Sequence, residues 1–313
     1  MIQVHRDLQH LPLIEKAVIT IGTFDGVHLG HQQILKLLKE EAAAIGGQTV
    51  IITFYPHPRK ILAQGKSAVK ILNTLEEKIE LLNKKGIEHL VVIAFDDEFA
   101  NQTAEEYIES FLVKKFHPNT IIIGYDHRFG KNRSGDYHLL EKMSSKFNYV
   151  VKEIPEHVLN HITISSTKIR EALLKNDIDT ANTFLGYQYF FKGKVVEGNK
   201  LGRTIGYPTA NLIIEDEEKL VPGNGVYAVK LKIGSSETIL KGMMNIGLRP
   251  TVNGNKRTIE VNIFDFDENI YGQYLCVYIY SYLREEVKFD GLDQLKEQLS
   301  KDKENALLQL EDF

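Results

Sequence analysis

One cysteine, eight prolines and no tryptophan in 313 residues leave this chain few covalent or conformational staples. The lone thiol, Cys276, excludes an intramolecular disulfide framework and a multi-cysteine zinc site. It lies in a strand-like run from Tyr274 to Tyr280 and reads as a buried, inert thiol. No apolar run approaches the length of a membrane span, and the first residues, Met1 to Arg6, lack the apolar core of a leader peptide. A cytoplasmic protein with no membrane partner is therefore expected. A formal net charge of −4 lacks the cationic excess that marks a nucleic-acid binder. Neither an internal repeat nor a low-complexity segment is present. What remains is an ordinary globular composition, 43% hydrophobic and 26% charged, with length for about two domains.

Two patterns divide the chain. Up to about residue 185, short β-branched runs at 17–23, 49–54, 89–95, 120–124 and 149–154 alternate with helical periodicity. Thr74 with Glu77, and Thr103 with Glu106, have capping-box spacing, and Gly46 and Gly86 stand where helices should stop. Such alternation predicts a doubly wound parallel sheet with ligands at the carboxyl ends of the strands. After Gly186 the strand signals at 189–196, 209–213, 226–233, 238–245, 259–263 and 275–283 follow one another without helices. That half predicts a closed antiparallel β-barrel, covered by a terminal helix over 292–310. The expected domains are 1–185 and 186–313.

Chemistry concentrates in a few stretches. The first runs from Gly22 through Phe24, Asp25, Gly26, His28 and Gly30 to His31, between a strand and a helix. Glycines at 22, 26 and 30 allow close approach of backbone and ligand, and the new helix aims unpaired N–H groups at the same spot, which suits an anion. Two histidines one turn apart add donors. Taken alone, such a pair can also be a helix cap or core packing, and no third ligand stands at metal-binding spacing. Ser165, Ser166, Thr167 and Arg170 open a later helix, where the hydroxyls can serve as N-caps. Asp126, Arg128, Phe129, Lys131 and Arg133 form a basic, glycine-punctuated loop, and His57 and Pro58 follow another strand. In the second half, Lys194, Gly198, Gly202 and Arg203 lead into Pro208-Thr209-Ala210-Asn211. Thr209 and Asn211 project to one side of an extended chain and offer hard oxygens suited to Mg²⁺. Glu260 and Asn262 share a strand face, where an ordinary solvent-facing glutamate is the plain alternative.

These motifs together resemble the bacterial bifunctional riboflavin kinase/FMN adenylyltransferase (FAD synthetase) family. The first stretch is similar to its His-x-Gly-His nucleotidyltransferase signature, and Ile164 to Arg170 to its Ile-Ser-Ser-Thr-x-Ile-Arg segment. The resemblance implies that the N-terminal domain is a nucleotidyltransferase joining AMP from ATP to FMN. His28, His31 and Arg170 would act on the triphosphate and leaving group. Gly22, Phe24, Asp25, Gly26, Gly30, Ser165, Ser166 and Thr167 would contact ATP, and His57, Pro58, Asp126, Arg128 and Phe129 the FMN. For the C-terminal domain it implies riboflavin kinase activity, with Glu260 as general base and Thr209 and Asn211 on the metal. Lys194, Gly202 and Arg203 would lie at the ATP phosphates, and Arg249 at the flavin. The family more often has Phe where His127 stands and His where Asn262 stands.

Three other matches fail on context. Gly65-Lys66-Ser67 lacks the upstream P-loop glycine, and Gly223-x-Gly225 leads into a strand. Lys142 to Lys146, which mimics a synthetase signature, has helical spacing ahead of a strand. A single-function nucleotidyltransferase acting on another phosphorylated substrate, and a non-catalytic flavin-binding regulator, are the competing functions.

Overall fold

The structure, a computed structural model, describes residues 1–62, 69–154, 164–198, 201–251 and 254–311. The Gly65–Ser67 match, and Lys200 of the glycine-rich stretch, lie outside the described residues. By their contacts the residues form two compact units, Met1–Ser165 and Ser166–Phe313.

In the first unit β1 (Gln3–His5), β2 (Ala17–Ile21), β3 (Gln48–Tyr55), β4 (His89–Ala94), β5 (Thr120–Gly124) and β6 (Val150–Ile154) form an all-parallel sheet. Their order is β1-β4-β3-β2-β5-β6. All five residues of β2 are buried, as a central strand covered on both faces requires. Both expected capping boxes form, at Thr74 and Thr103, and Gly46 ends the helix Leu29–Ile45 in the left-handed region. The order in which successive strands are laid down reverses between β2 and β5, the kind of switch point beyond whose carboxyl ends a ligand crevice lies in such sheets. β1 escaped the sequence reading because three residues carry no periodicity; pairing with β4 alone makes it a strand.

The second unit carries a closed antiparallel barrel of β7 (Phe190–Val196), β8 (Ala210–Ile213), β9 (Gly225–Ile233), β10 (Leu240–Thr251), β11 (Gly254–Ile263) and β12 (Tyr274–Arg284). Phe191, Tyr227, Val229, Leu231, Val261 and Val277 are among its buried residues. β10 and β11 extend well past their expected ends, with Pro250 opposite Asn255 in register.

The helices Ser166–Leu174 and Ile178–Leu185 group with the barrel, so the division falls earlier than the composition change at 186. Asn182 explains much of this: its Nδ2 donates to the Ile279 carbonyl at 3.0 Å, and its Oδ1 accepts from the Tyr189 N–H at 2.7 Å. The Gly223 N–H likewise donates to the Leu173 carbonyl at 3.0 Å.

The terminal helix Leu292–Glu311 lays Ala306 and Leu310 against Ala228, Met243 and Phe264. Asp302, 1% exposed, accepts two hydrogen bonds from Arg284, at 2.8 and 2.6 Å, and one from Gln298 at 2.9 Å. Replacing Asp302 by Ala leaves a partly buried guanidinium without its counter-charge. Urea unfolding should show a loss of about 3 kcal/mol, with Arg284→Met plus Asp302→Leu recovering most of it.

Candidate active sites

In the first unit β2 delivers the chain into a turn that no ordinary backbone adopts. Phe24, Gly26 and Val27 have φ of 47°, 89° and 37°. The turn ends at His28, which caps the helix Leu29–Ile45: its Nδ1 accepts from the His31 N–H at 3.4 Å. The two imidazoles stack, with centroids 3.7 Å apart, and Phe24 tilts against His31 at 4.9 Å. The cap engages His28 through Nδ1. Gly22 and Gly30 have a different purpose from the one expected. A Cβ at Gly22 would meet the Phe24 ring at 3.2 Å, and one at Gly30 the His28 ring at 3.2 Å. These glycines make room for the rings, and only Gly26 is required by its φ.

Asp25 braces the turn. It is buried, and its Oδ1 accepts from the backbone N–H of Leu72, at 2.9 Å, and of Asn73, at 3.2 Å. Lys78, which the sequence reading passed over, donates from Nζ to the Thr23 carbonyl at 2.6 Å. Its position on the apolar stripe of Leu75, Leu81 and Leu82 was the available signal. Burial, the neighbouring His28 and the Lys78 charge hold His31 well below its ordinary value of 6.5. The His31 Nδ1 is buried with no hydrogen-bond partner among the described residues.

The loop after β5 splits between surface and core. Asp126 and Arg128 are exposed, and Arg128 donates to the His127 carbonyl at 3.1 Å. Phe129, expected at the flavin, is a core residue: it stacks on Tyr107 at 4.9 Å and pairs with Gly135. His57 and Pro58 follow β3, Pro58 opening the short helix Pro58–Leu62. Ser165 closes the first unit, and Ser166, Thr167 and Arg170 lie on the first helix of the second, with Arg170 buried. The first unit by itself thus supplies the paired histidines and not Arg170.

In the barrel, Glu260 sits opposite Asn211 in the β8–β11 register. Thr209 Oγ1 donates to its Oε2 at 3.4 Å, and Arg249 is ion-paired to its Oε1. Arg249, expected at the flavin, is therefore bonded to the carboxylate. Asn262 donates from Nδ2 to the Pro208 carbonyl at 2.7 Å, which holds the backbone just before Thr209. A Cβ at Gly198 would collide with the Asn211 amide, and one at Gly202 with the Tyr207 carbonyl, so this glycine-rich segment packs directly on the Thr209–Asn211 corner. Lys194 is exposed on β7. A cavity of about 430 Å³ is lined by Val195, Arg203, Thr209, Val261, Phe266 and Tyr271, among others. β11 ends at Ile263, where the strand signal ended, and Asp265 turns with φ 53° ahead of the Phe266–Tyr271 wall.

Family models for FAD synthetase and riboflavin kinase match residues 11–168 and 185–310 respectively. The bifunctional riboflavin kinase/FMN adenylyltransferase of Haemophilus influenzae is 41% identical over 94% of this chain and 94% of its own. The chain belongs to the bifunctional riboflavin kinase/FMN adenylyltransferase family. The Escherichia coli K12 member is 36% identical over 93% of this chain and 92% of its own. A solved structure named a macrolide-efflux protein, from Streptococcus pneumoniae, superposes with a TM-score of 0.84 and 31% identity, covering 96% and 97% of the two chains. Among the described residues of the present family member no helix is long and apolar enough to cross a membrane. Membership assigns FMN adenylyl transfer to the N-terminal half and riboflavin phosphorylation to the C-terminal half, both with ATP.

His127, where this member departs from the commoner Phe, is pushed down to about 4, chiefly by burial and against the favourable charge of Asp126. His127 and His31 are thus lowered in the fold, while in the unfolded chain they protonate near 6.5. As pH falls the unfolded state takes up protons first, so stability present above 6.5 is lost between 6.5 and about 4. The urea midpoint of the N-terminal unit should drop between pH 7 and pH 5. His127→Phe should flatten that slope by up to about 1.4 kcal/mol per pH unit.

Proposed function

We propose that the two sites act in succession, riboflavin to FMN on the barrel and FMN to FAD beyond β2, with the residue roles that follow. On the barrel, Glu260 takes the proton of the riboflavin 5′-hydroxyl as its oxygen attacks the γ-phosphorus of ATP, and ADP leaves. Arg249 and Thr209 hold one carboxylate oxygen each and so fix the direction in which Glu260 accepts. The cavity beside Thr209 and Arg203 has the size and apolar walls for an adenine base. The Thr209 hydroxyl and the Asn211 amide oxygen are hard donors, and two neutral oxygens fit Mg²⁺ that keeps waters and phosphate oxygens as its other ligands. Bound there, Mg²⁺ would neutralise charge on the β- and γ-phosphates.

In the first unit an FMN phosphate oxygen attacks the α-phosphorus of the second ATP, and pyrophosphate leaves. No protein nucleophile is needed. The Nε2 sides of His28 and His31, with the first N–H groups of the helix Leu29–Ile45, stabilise the charge that moves onto the leaving group. Arg170 and the hydroxyls of Ser165, Ser166 and Thr167 are proposed to contact ATP phosphates, and Arg128, Asp126 and His57 to bind FMN. An enzyme that consumes ATP twice fits the cytoplasm. The observation that carries the reading is the pair of unrelated constellations, stacked histidines on a strand-to-helix turn and a hydroxyl-linked carboxylate on a barrel face.

Purified protein given riboflavin, ATP and Mg²⁺ should yield FAD by chromatography; FMN alone, or no product, overturns the reading. Glu260→Gln should lower FMN formation by about 10²–10⁴-fold while FMN-to-FAD conversion persists. His28→Ala should do the reverse, and loss of both activities in either folded variant defeats the two-site scheme.

A further inference from the structure

Lys78 is 7% exposed and belongs to neither ligand-facing loop, yet every polar contact it makes is to the adenylyl-transfer turn or the strand beside it. Nζ donates to the Thr23 carbonyl at 2.6 Å and to Thr53 Oγ1 at 3.4 Å, and Thr53 Oγ1 itself donates to the Thr23 carbonyl at 3.2 Å. The charged and titratable groups facing it are Asp25 from the turn and His31 from the helix Leu29–Ile45; β3 contributes the Thr53 hydroxyl, and Glu77 on its own helix is occupied by the Thr74 cap. Taking an ammonium out of water costs several kcal/mol, which a purely structural contact with one carbonyl seldom repays. Just before that helix, the backbone N–H groups of Leu72 and Asn73 donate to Asp25. Residues 72–78 thus grip residues 23–25 at two points, one through the Asp25 carboxylate and one through the Lys78 cation.

We propose that Lys78 is a positioning residue for adenylyl transfer: its buried charge locks the Thr23–Asp25 turn and sets the electrostatic surroundings of the His31 ring, so that both imidazoles meet the phosphates in one arrangement. The inference rests on the reading of His28 and His31 given above. Burial lowers the ammonium to about 8, with Asp25 opposing the shift. It is charged at neutral pH and discharges just above it, where the turn loses its clamp and His31 its neighbouring cation.

The test uses the full chain, with riboflavin kinase activity of the same preparation as control for folding and for pH effects on ATP. In wild type, kcat/KM for FAD formation from FMN should fall as pH rises through about 8, with no matching fall in the kinase reaction. Lys78→Met should lower kcat for FAD formation by about a hundredfold, as misplacement of reacting groups by an ångström does, and remove that alkaline limb. Lys78→Arg keeps a charge that does not titrate in this range, so it should retain most of the rate and hold it to pH 9. Lys78→Met within threefold of wild type, or an alkaline limb unchanged in it, overturns the proposal. If neither variant folds, Thr53→Val decides: losing one partner should move the limb to lower pH, and an unmoved limb overturns the inference. Failure is separable from failure of the underlying reading. If His28→Ala abolishes FAD formation while Lys78→Met does not, only the role of Lys78 falls; if His28→Ala leaves it intact, the site itself is misassigned.

Discussion

The grip of the helix Leu75–Lys84 on the turn after β2 is the contact on which the first unit's chemistry depends. Two non-glycine residues in that turn, Phe24 and Val27, hold positive φ, and Val27 is β-branched and fully buried. Each such conformation costs about 1–3 kcal/mol and persists only where its surroundings over-determine it. Here they do: Asp25 is tied to Leu72 and Asn73, the Thr23 carbonyl receives both Lys78 and Thr53, and Gln32 Nε2 donates to the Val27 carbonyl at 3.0 Å. With the turn held, Phe24 lies against the His31 ring, His28 reaches back to cap its own helix, and the two imidazoles stack. A buried carboxylate and a buried cation fix this geometry.

The barrel solves a similar problem without a strained turn. Strand alternation sends Ala210, Leu212 and Val261 inward and leaves Asn211, Glu260 and Asn262 on the other face, each within a residue or two of Thr209 in register. Antiparallel pairing of β8 with β11 fixes the spacing, and side chains from farther away refine it: Arg249 on Glu260, Asn262 on the Pro208 carbonyl. The Asn262 bond holds the backbone just before Thr209. In both units the residues proposed to meet substrate are held by hydrogen bonds or ion pairs to their neighbours, which is what pre-organisation requires.

Much of this was legible before any coordinates. Capping boxes at Thr74 and Thr103, the stop at Gly46, the alternation of strands and helices, and the shift to helix-free strands all act over a few neighbouring residues, so spacing reports them. The resemblance carried the reaction and the names of its partners. Other features were not visible locally. The three residues of β1 become a strand only by pairing with β4, and the helices 166–174 and 178–185 join the barrel through Asn182 and the carbonyl of Leu173. Phe129 looks like a ligand-facing aromatic in its motif and is a core residue because Tyr107 lies against it. Arg249 looks like a flavin contact and is bonded to Glu260, a residue eleven positions away. Glycines 22 and 30 look like openings for a phosphate and are openings for rings.

By itself, then, the order of residues determined the two folds, the family and the reactions, because periodicity, caps and signature spacing are properties of short windows and survive without knowledge of the whole. Tertiary structure alone decided which protein partners the polar side chains take: Asp25 backbone amides, Lys78 a carbonyl, Arg249 a carboxylate. The physical reason is burial. An ionised side chain removed from water takes whichever partner the fold brings within 3 Å or so, and that partner is chosen by packing between elements far apart in the chain.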